Sequence, residues 1–223
     1  MIFPARRHSL GLIRAALAAL FALSAAAAVA QHRMRDGQVA QAELLNHGGV
    51  EDIVIGDPKA PVTVIEYASL SCPHCANFHK NSLPRLKSEF IDAGKVRFIF
   101  RDFPFDGVGL AGAMLARCTG PEKFHDVIET LFLEQQQWAF SNDPEAALIA
   151  LSKRYGFTQE TFGACLQNQK IYDGVLAGRQ RAHEIFGVDS TPTIFINGAR
   201  YRGALPPDDL AAAVKEALPA GMK

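Results

Sequence analysis

The sequence has no charge imbalance and few cysteines. Its 223 residues carry 23 Lys and Arg against 23 Asp and Glu, so it lacks the basic excess that nucleic-acid binding draws on. Four cysteines are few for a disulfide-stapled scaffold. A chain that is 48% hydrophobic and 21% charged can build an ordinary core without such staples. No internal repeat or low-complexity segment occurs outside the N-terminal leader. A structural zinc site takes four ligands in tetrahedral reach. Here the one close cysteine pair has no second pair after it, and His74 lies between its members while His79 is only nearby. No metal and no cofactor are therefore expected.

What is present begins with that pair, in Ser71-Cys72-Pro73-His74-Cys75-Ala76. The β-branched and aromatic run Val62–Tyr67 before it predicts a strand, and the stretch from Ala76 to Ala93 after it predicts a helix, kinked or split at Pro84. Cys72 then falls at a helix N-cap, with Pro73 in the first turn, where a missing N–H costs nothing. Unpaired amides and the positive end of the helix dipole favour an anion there, and the anion would be a thiolate. His74, inside the same loop, offers an imidazole that favours the thiolate further. The residues therefore point to a thiol–disulfide redox centre. A purely structural pair is the bland alternative, and closing so small a ring removes little chain entropy.

Residues 1–30 read as a cleaved signal peptide. Arg6, Arg7 and Arg14 form a basic start, Ala15–Ala27 is almost wholly apolar, and Ala28-Val29-Ala30 supplies a small-x-small cleavage pattern with Gln31 as the new N-terminus. The apolar run is shorter than the roughly 20 residues that span a bilayer, which argues against an anchor. Without the leader 20 basic and 23 acidic residues remain. Export to the periplasm would place the cysteines where disulfides persist. Residues 31–50 read as a stalk or cap with a short helical segment at Gln38–Asn46.

From residue 51 the pattern predicts an edge strand at Ile53–Ile55, the strand and helix already described, and a parallel strand at Val96–Arg101, so that 51–105 is a βαβ unit. Residues 106–167 predict an all-helical insertion with helices over Ala111–Cys118, Pro121–Gln137, Pro144–Tyr155 and Gln159–Leu166. Residues 168–223 predict a helix over Ile171–Phe186, a hairpin turning at Asn197-Gly198 and a last helix over Asp209–Leu218. The phenylalanines read mainly as core, with Phe103, Phe105 and Phe140 the candidates for a surface role.

Cys72-Pro73-His74-Cys75, together with Ser190-Thr191-Pro192-Thr193 and Phe195-Ile196-Asn197-Gly198, resembles the DsbA family of exported thiol oxidases. The resemblance covers roughly residues 50–218 and implies an α/β fold, a thioredoxin-like sheet with an inserted all-helical domain. It implies that Cys72 is the exposed nucleophile and Cys75 the buried resolving cysteine. Pro192 would be a cis proline facing them, with Thr191 offering backbone groups to an extended substrate peptide. It also implies that Glu66, six positions before Cys72, is a buried carboxylate moving protons for Cys75; Arg97 or Arg101 on the neighbouring strand could pair with it. The other histidines, His47, His79, His125 and His183, receive no role. Implied partners are reduced or unfolded exported proteins and a membrane quinone-linked re-oxidase of the DsbB type.

Some readings stay open. Cys118 and Cys165, 47 positions apart, suit a structural disulfide, which for that span is worth about 4 kcal/mol; a second redox pair and two buried thiols are the alternatives. Thr191 stands where the best-known oxidases of the family carry valine, and threonine there looks more like disulfide isomerases. An oligomeric isomerase or reductase, linked to copper tolerance, is thus one rival function. A non-catalytic chaperone or metal carrier on the same fold is another.

Overall fold

The computed structural model describes residues 35–222, so the leader and its cleavage site lie outside the described residues. At the centre is strand β3 (Val62–Ala68), every residue of which is buried. Continuous burial is what a strand covered on both faces requires, and its apolar, β-branched run supplies it. The parallel neighbour is β4 (Val96–Asp102), in register from Val62↔Val96 to Ala68↔Asp102. On the other side runs β5 (Thr193–Ile196), antiparallel and continued through the Asn197-Gly198 turn into β6 (Ala199–Arg202). The edges are β2 (Val54–Ile55), antiparallel to β4, and β1 (Arg35–Gln38), antiparallel to β6. The sheet order is β1-β6-β5-β3-β4-β2.

Strand β1 has no counterpart in the sequence pattern. Arg-Asp-Gly-Gln has no β-branched or aromatic residue, and what makes it a strand is backbone pairing with β6, helped by Asp36 bridging Arg200 (2.8 Å) and Arg202. The short helix that follows, α1 (Gln41–Leu45), buries Leu44 against the sheet.

The predicted break near Pro84 is present, displaced slightly upstream. Helix α2 (Pro73–Asn81) ends at Ser82, α3 (Leu83–Leu86) restarts with Pro84 in its first turn, and a π-helical turn over Lys87–Ile91 follows. A proline needs no N–H at a helix start, so the chain breaks just before it. Ser82 Oγ donates to Leu205 O at 2.7 Å and ties the break to the C-terminal part of the chain.

The helical stretch comprises α4 (Gly107–Cys118), α5 (Pro121–Leu133), α6 (Gln135–Trp138), α7 (Pro144–Ser152) and α8 (Gln159–Leu166), with a 3₁₀ turn at Lys153–Tyr155. Helix α4 starts four residues before the apolar periodicity does, because Asp106 caps it by accepting from Gly109 N at 2.6 Å. Its glycines obscure the helix in sequence, and Gly112 has a packing reason. A Cβ there would stand 3.0 Å from Trp138 and 3.1 Å from Leu70. The expected single helix over 121–137 is two, broken at Glu134. Helix α9 (Gln169–Glu184) and α10 (Pro207–Ala217) complete the described helices, with a final 3₁₀ turn at Ala220–Met222. None of the described helices is long and apolar enough to cross a membrane.

Strand alternation divides the core between the faces of the sheet. Val62, Val64 and Ala68 pack with Phe98, Phe100 and Ile194 on the face that carries both Cys72 and Cys75. Ile65, Tyr67, Ile99 and Phe195 pack with Leu44, Ala182 and Phe186 on the other. Phe103 joins that second cluster, whereas Phe105 and Phe140 are 54% and 51% exposed.

Cys118, the last residue of α4, is bonded to Cys165 in α8, with Cα atoms 6.0 Å apart. Replacing both with serine should lower stability in urea unfolding by about 4 kcal/mol at most, the loop-entropy value for this span. Thiol exchange at 25 °C should persist, because the bond clamps helices and leaves the Cys72 loop untouched.

Candidate active site

Cys72 is the N-cap residue of α2, in extended conformation, and its carbonyl accepts from Ala76 N at 3.1 Å. The first free amides of the helix therefore surround its sulfur. A hydrogen bond from the Cys75 thiol is the largest influence on Cys72; the Thr191 side chain and the backbone amides of Cys75 and His74 add to it. Together they outweigh desolvation and lower its pKa from 9.0 to about 5. Both cysteines are buried, Cys72 at 4% exposure where the resemblance implies an exposed one. Cys75, one turn into the helix and fully buried, is pushed well above 9.0. Burial is the main cause there, with the neighbouring Cys72 sulfur and the Glu66 carboxylate adding to it. At neutral pH the pair is one thiolate and one thiol, and the thiol's proton stabilises the thiolate.

His74 and Pro73 are exposed on the first turn. The backbone amide of His74 is among the groups that lower the Cys72 pKa.

Facing the pair is the Thr191–Pro192 peptide, which is cis. Thr191 O lies 3.4 Å from Cys72 Sγ and accepts from it when the thiol is protonated. Behind Cys72 the loop is held by Gln135 of α6. This fully buried amide donates to Leu70 O at 2.8 Å and to Cys72 O at 3.0 Å. Ser71 Oγ donates to Asp106 Oδ2 at 2.8 Å, so the cap of α4 also anchors the residue before Cys72. Nothing local singled out Gln135; it stands in a run of three glutamines, and only the tertiary fold selects it.

Glu66 is fully buried on the cysteine-bearing face, but neither proposed arginine pairs with it. Its Oε2 lies 2.8 Å from His79 Nε2, on a ring that is itself buried. Register explains the correction. Glu66 stands opposite Phe100, whereas Arg97 and Arg101 stand opposite Thr63 and Tyr67, and successive strand residues face opposite ways. Arg97 donates to Thr63 Oγ1 at 2.8 Å. Arg101 forks onto Asp52 at 2.9 and 2.7 Å and reaches Tyr67 Oη at 2.6 Å. His79, passed over in the sequence, had a readable signal. It lies four residues after Cys75, so the two share a helix face, and Phe78 and Ser82 are buried beside them. Among the described residues, no group of three or more His, Cys, Asp or Glu side chains is arranged to hold a metal ion.

This arrangement has counterparts. A sequence profile described as thioredoxin matches residues 49–216. The crystal structure of Wolbachia pipientis α-DsbA1 superposes with a TM-score of 0.72 at 30% identity, covering 80% of this chain and 95% of that one. The chain belongs to the thioredoxin family, among its DsbA-like members. A protein of Rickettsia conorii named a putative protein-disulfide oxidoreductase is 33% identical over 168 residues, which is 75% of this chain. The match spans only 60% of that relative's length. BdbD from Bacillus subtilis, at 23% identity and a TM-score of 0.64 over 82% of this chain and 98% of its own, shares the fold. In this DsbA-like chain the pair lies where β3 meets a capped helix, as its sequence spacing predicts.

Ultraviolet thiolate absorbance should report an ionisation with a midpoint near pH 5, absent in Cys72→Ser. Cys75→Ala should move that midpoint upward, since it removes the largest lowering influence. The same shift predicts how the two redox forms differ in stability. Cys72 is depressed in the folded dithiol, so its contribution is full above the ordinary thiol pKa of 9.0 and is lost as pH falls through about 5. At pH 7 about half remains, on the order of 3 kcal/mol. Melting curves of the reduced and oxidised proteins should therefore diverge between pH 5 and 9, with the reduced form gaining.

Proposed function

We propose that the protein is a thiol:disulfide oxidoreductase that donates the Cys72–Cys75 disulfide to reduced exported proteins through a mixed disulfide on Cys72. The observation that carries this reading is the split pair: a Cys72 thiolate stabilised to a pKa of about 5 beside a Cys75 thiol held above 9.0. Whatever stabilises the thiolate stabilises the reduced centre, and a stable reduced centre makes its disulfide a stronger oxidant. The roughly 3 kcal/mol available at pH 7 corresponds to about 60 mV in a two-electron couple. This supports oxidation over the isomerase or reductase reading that Thr191 had suggested.

Catalysis in this reading runs as follows. A substrate thiolate attacks Cys72 Sγ of the disulfide, Cys75 leaves with the electron pair, and Cys75 is then protonated. A second substrate thiolate attacks its own sulfur in the mixed disulfide, and Cys72 departs as a thiolate. The substrate peptide lies extended beside the backbone of Thr191 before cis-Pro192, a contact that reads main chain rather than sequence and so admits many substrates. Re-oxidation falls to a quinone-linked membrane partner of the DsbB type. The leader ending at Ala30 directs the chain to the periplasm, where such a partner and oxidisable substrates meet.

Equilibration with glutathione should give a reduction potential nearer the about −120 mV of DsbA than the about −180 mV of protein disulfide isomerase. A value near the about −270 mV of thioredoxin overturns the oxidase direction. Cys75→Ser, charged beforehand at Cys72 as a mixed disulfide with 2-nitro-5-thiobenzoate, should react with a reduced substrate protein carrying one thiol, releasing the dye thiolate and leaving a covalent Cys72–substrate adduct that dithiothreitol breaks. No adduct would exclude exchange chemistry and leave a binding role.

A further inference from the structure

A cleft of about 540 Å³ opens between β2, α3, the π-helical turn and α5, within the range of about 300–1,000 Å³ that bound ligands occupy. None of the residues lining it belongs to the redox loop or to the Thr191–Pro192 loop. It meets α2 at His79, and from Cys72 to His79 is roughly 10 Å at 1.5 Å of rise per residue. Its wall is apolar and reachable. Val54, Ile55 and Leu83 are half-buried and Pro84 is exposed, over a floor of Phe98 and Ile128.

Charge and backbone say what fits there. Helix α5 sets Asp126 and Glu129 at the cleft; both are exposed, and among the described residues neither forms an ion pair. From the π-helical turn, Lys87 is already paired with Asp92 at 2.7 Å. The cleft therefore keeps an uncompensated negative charge on its α5 side. Strand β2 is the last strand on its side of the sheet. In an antiparallel pair alternate residues turn their N–H and C=O to the partner, so one of Val54 and Ile55 turns them outward. Just upstream, Ile53 O lies 2.9 Å from His125 Nε2 of α5, a partner from outside the sheet. A chain laid extended beside β2 meets backbone groups there, and its alternate side chains reach the apolar wall.

We propose that this cleft is a second substrate site: it holds an extended apolar segment, flanked by Lys or Arg, of the same reduced protein whose thiol reacts at Cys72. The proposal rests on the exchange reading above and adds to it a contact that forms no covalent bond. At roughly 3.3 Å per residue, a segment on the order of ten residues from the reacting cysteine reaches around α2 to the cleft. The Thr191–Pro192 loop takes the chain beside the cysteine, whereas the cleft senses whether that chain is unfolded. An apolar segment is available to it only until folding buries that segment elsewhere. Two contacts on one chain raise the effective concentration of the second. When the oxidised product folds, the segment leaves the cleft for the product's own core, and release follows.

The probe is a fluorescein-labelled, cysteine-free peptide, Lys-Leu-Ser-Val-Ser-Leu-Lys, titrated with the oxidised protein and followed by anisotropy. It should bind at least about tenfold tighter than the same peptide with Glu in place of both Lys residues. In Asp126→Lys/Glu129→Lys, changed at two exposed positions, the preference should reverse. Ser88→Trp, which fills the cleft from the π-helical turn, should lose both peptides. The Lys peptide should raise the KM for oxidation of reduced, unfolded ribonuclease at least about threefold with kcat kept, and should not slow the oxidation of glutathione. Equal binding of the two peptides, or a preference that the charge swap leaves in place, overturns the site while the proposed function stands. Charge-selective binding with no change in the KM for ribonuclease overturns the assignment of the site to substrate. Failure of the wild-type protein to oxidise ribonuclease overturns the exchange reading and, with it, that assignment.

Discussion

The hydrogen bond from the Cys75 thiol to the Cys72 sulfur is the interaction on which the centre depends. It exists only if Cys75 keeps its proton, and Cys75 keeps it because β3, α2 and the helical layer exclude water from it. Burial of one sulfur is thus converted into charge on the other. The helix N-terminus adds its amides, but a capped helix alone shifts a thiol less than this arrangement does. The fold therefore acts as a device for treating two identical side chains three residues apart as different chemical groups.

Several elements maintain that difference without touching either sulfur. Gln135 fixes the carbonyls of Leu70 and Cys72 from the helical layer, and Asp106 caps α4 while holding Ser71. Gly112 lets α4 approach Leu70 and Trp138 closely enough for the layer to seat. The loop is consequently pinned from the inserted helices as well as from the sheet. On the opposite face of the sheet Arg101, Asp52 and Tyr67 form a separate polar group, isolated from Glu66 by strand alternation.

Much of this was legible in the sequence because it rests on local rules. The strand–Cys-x-x-Cys–helix order, the break near Pro84, the Asn-Gly hairpin and the helical stretch all follow from periodicity, proline and turn chemistry. What was not legible depends on pairing between distant segments. Strand β1 is polar and is made by β6; Gln135 is chosen by where α6 lands. Arg97 and Arg101 lie on the strand beside Glu66 but at the other parity, so adjacency of strands points to them while alternation excludes both. The four-residue spacing from Cys75 puts His79 on the buried face of α2 instead.

The bond between Cys118 and Cys165 sets the protein apart from its own active centre in one respect. A newly made chain carries four thiols, and joining these two removes two electrons that an external acceptor must take. The centre at Cys72 can alternate between states without end, whereas this bond closes once and then holds α4 to α8. Closing it therefore draws once on the oxidising capacity of the surroundings in which the chain folds.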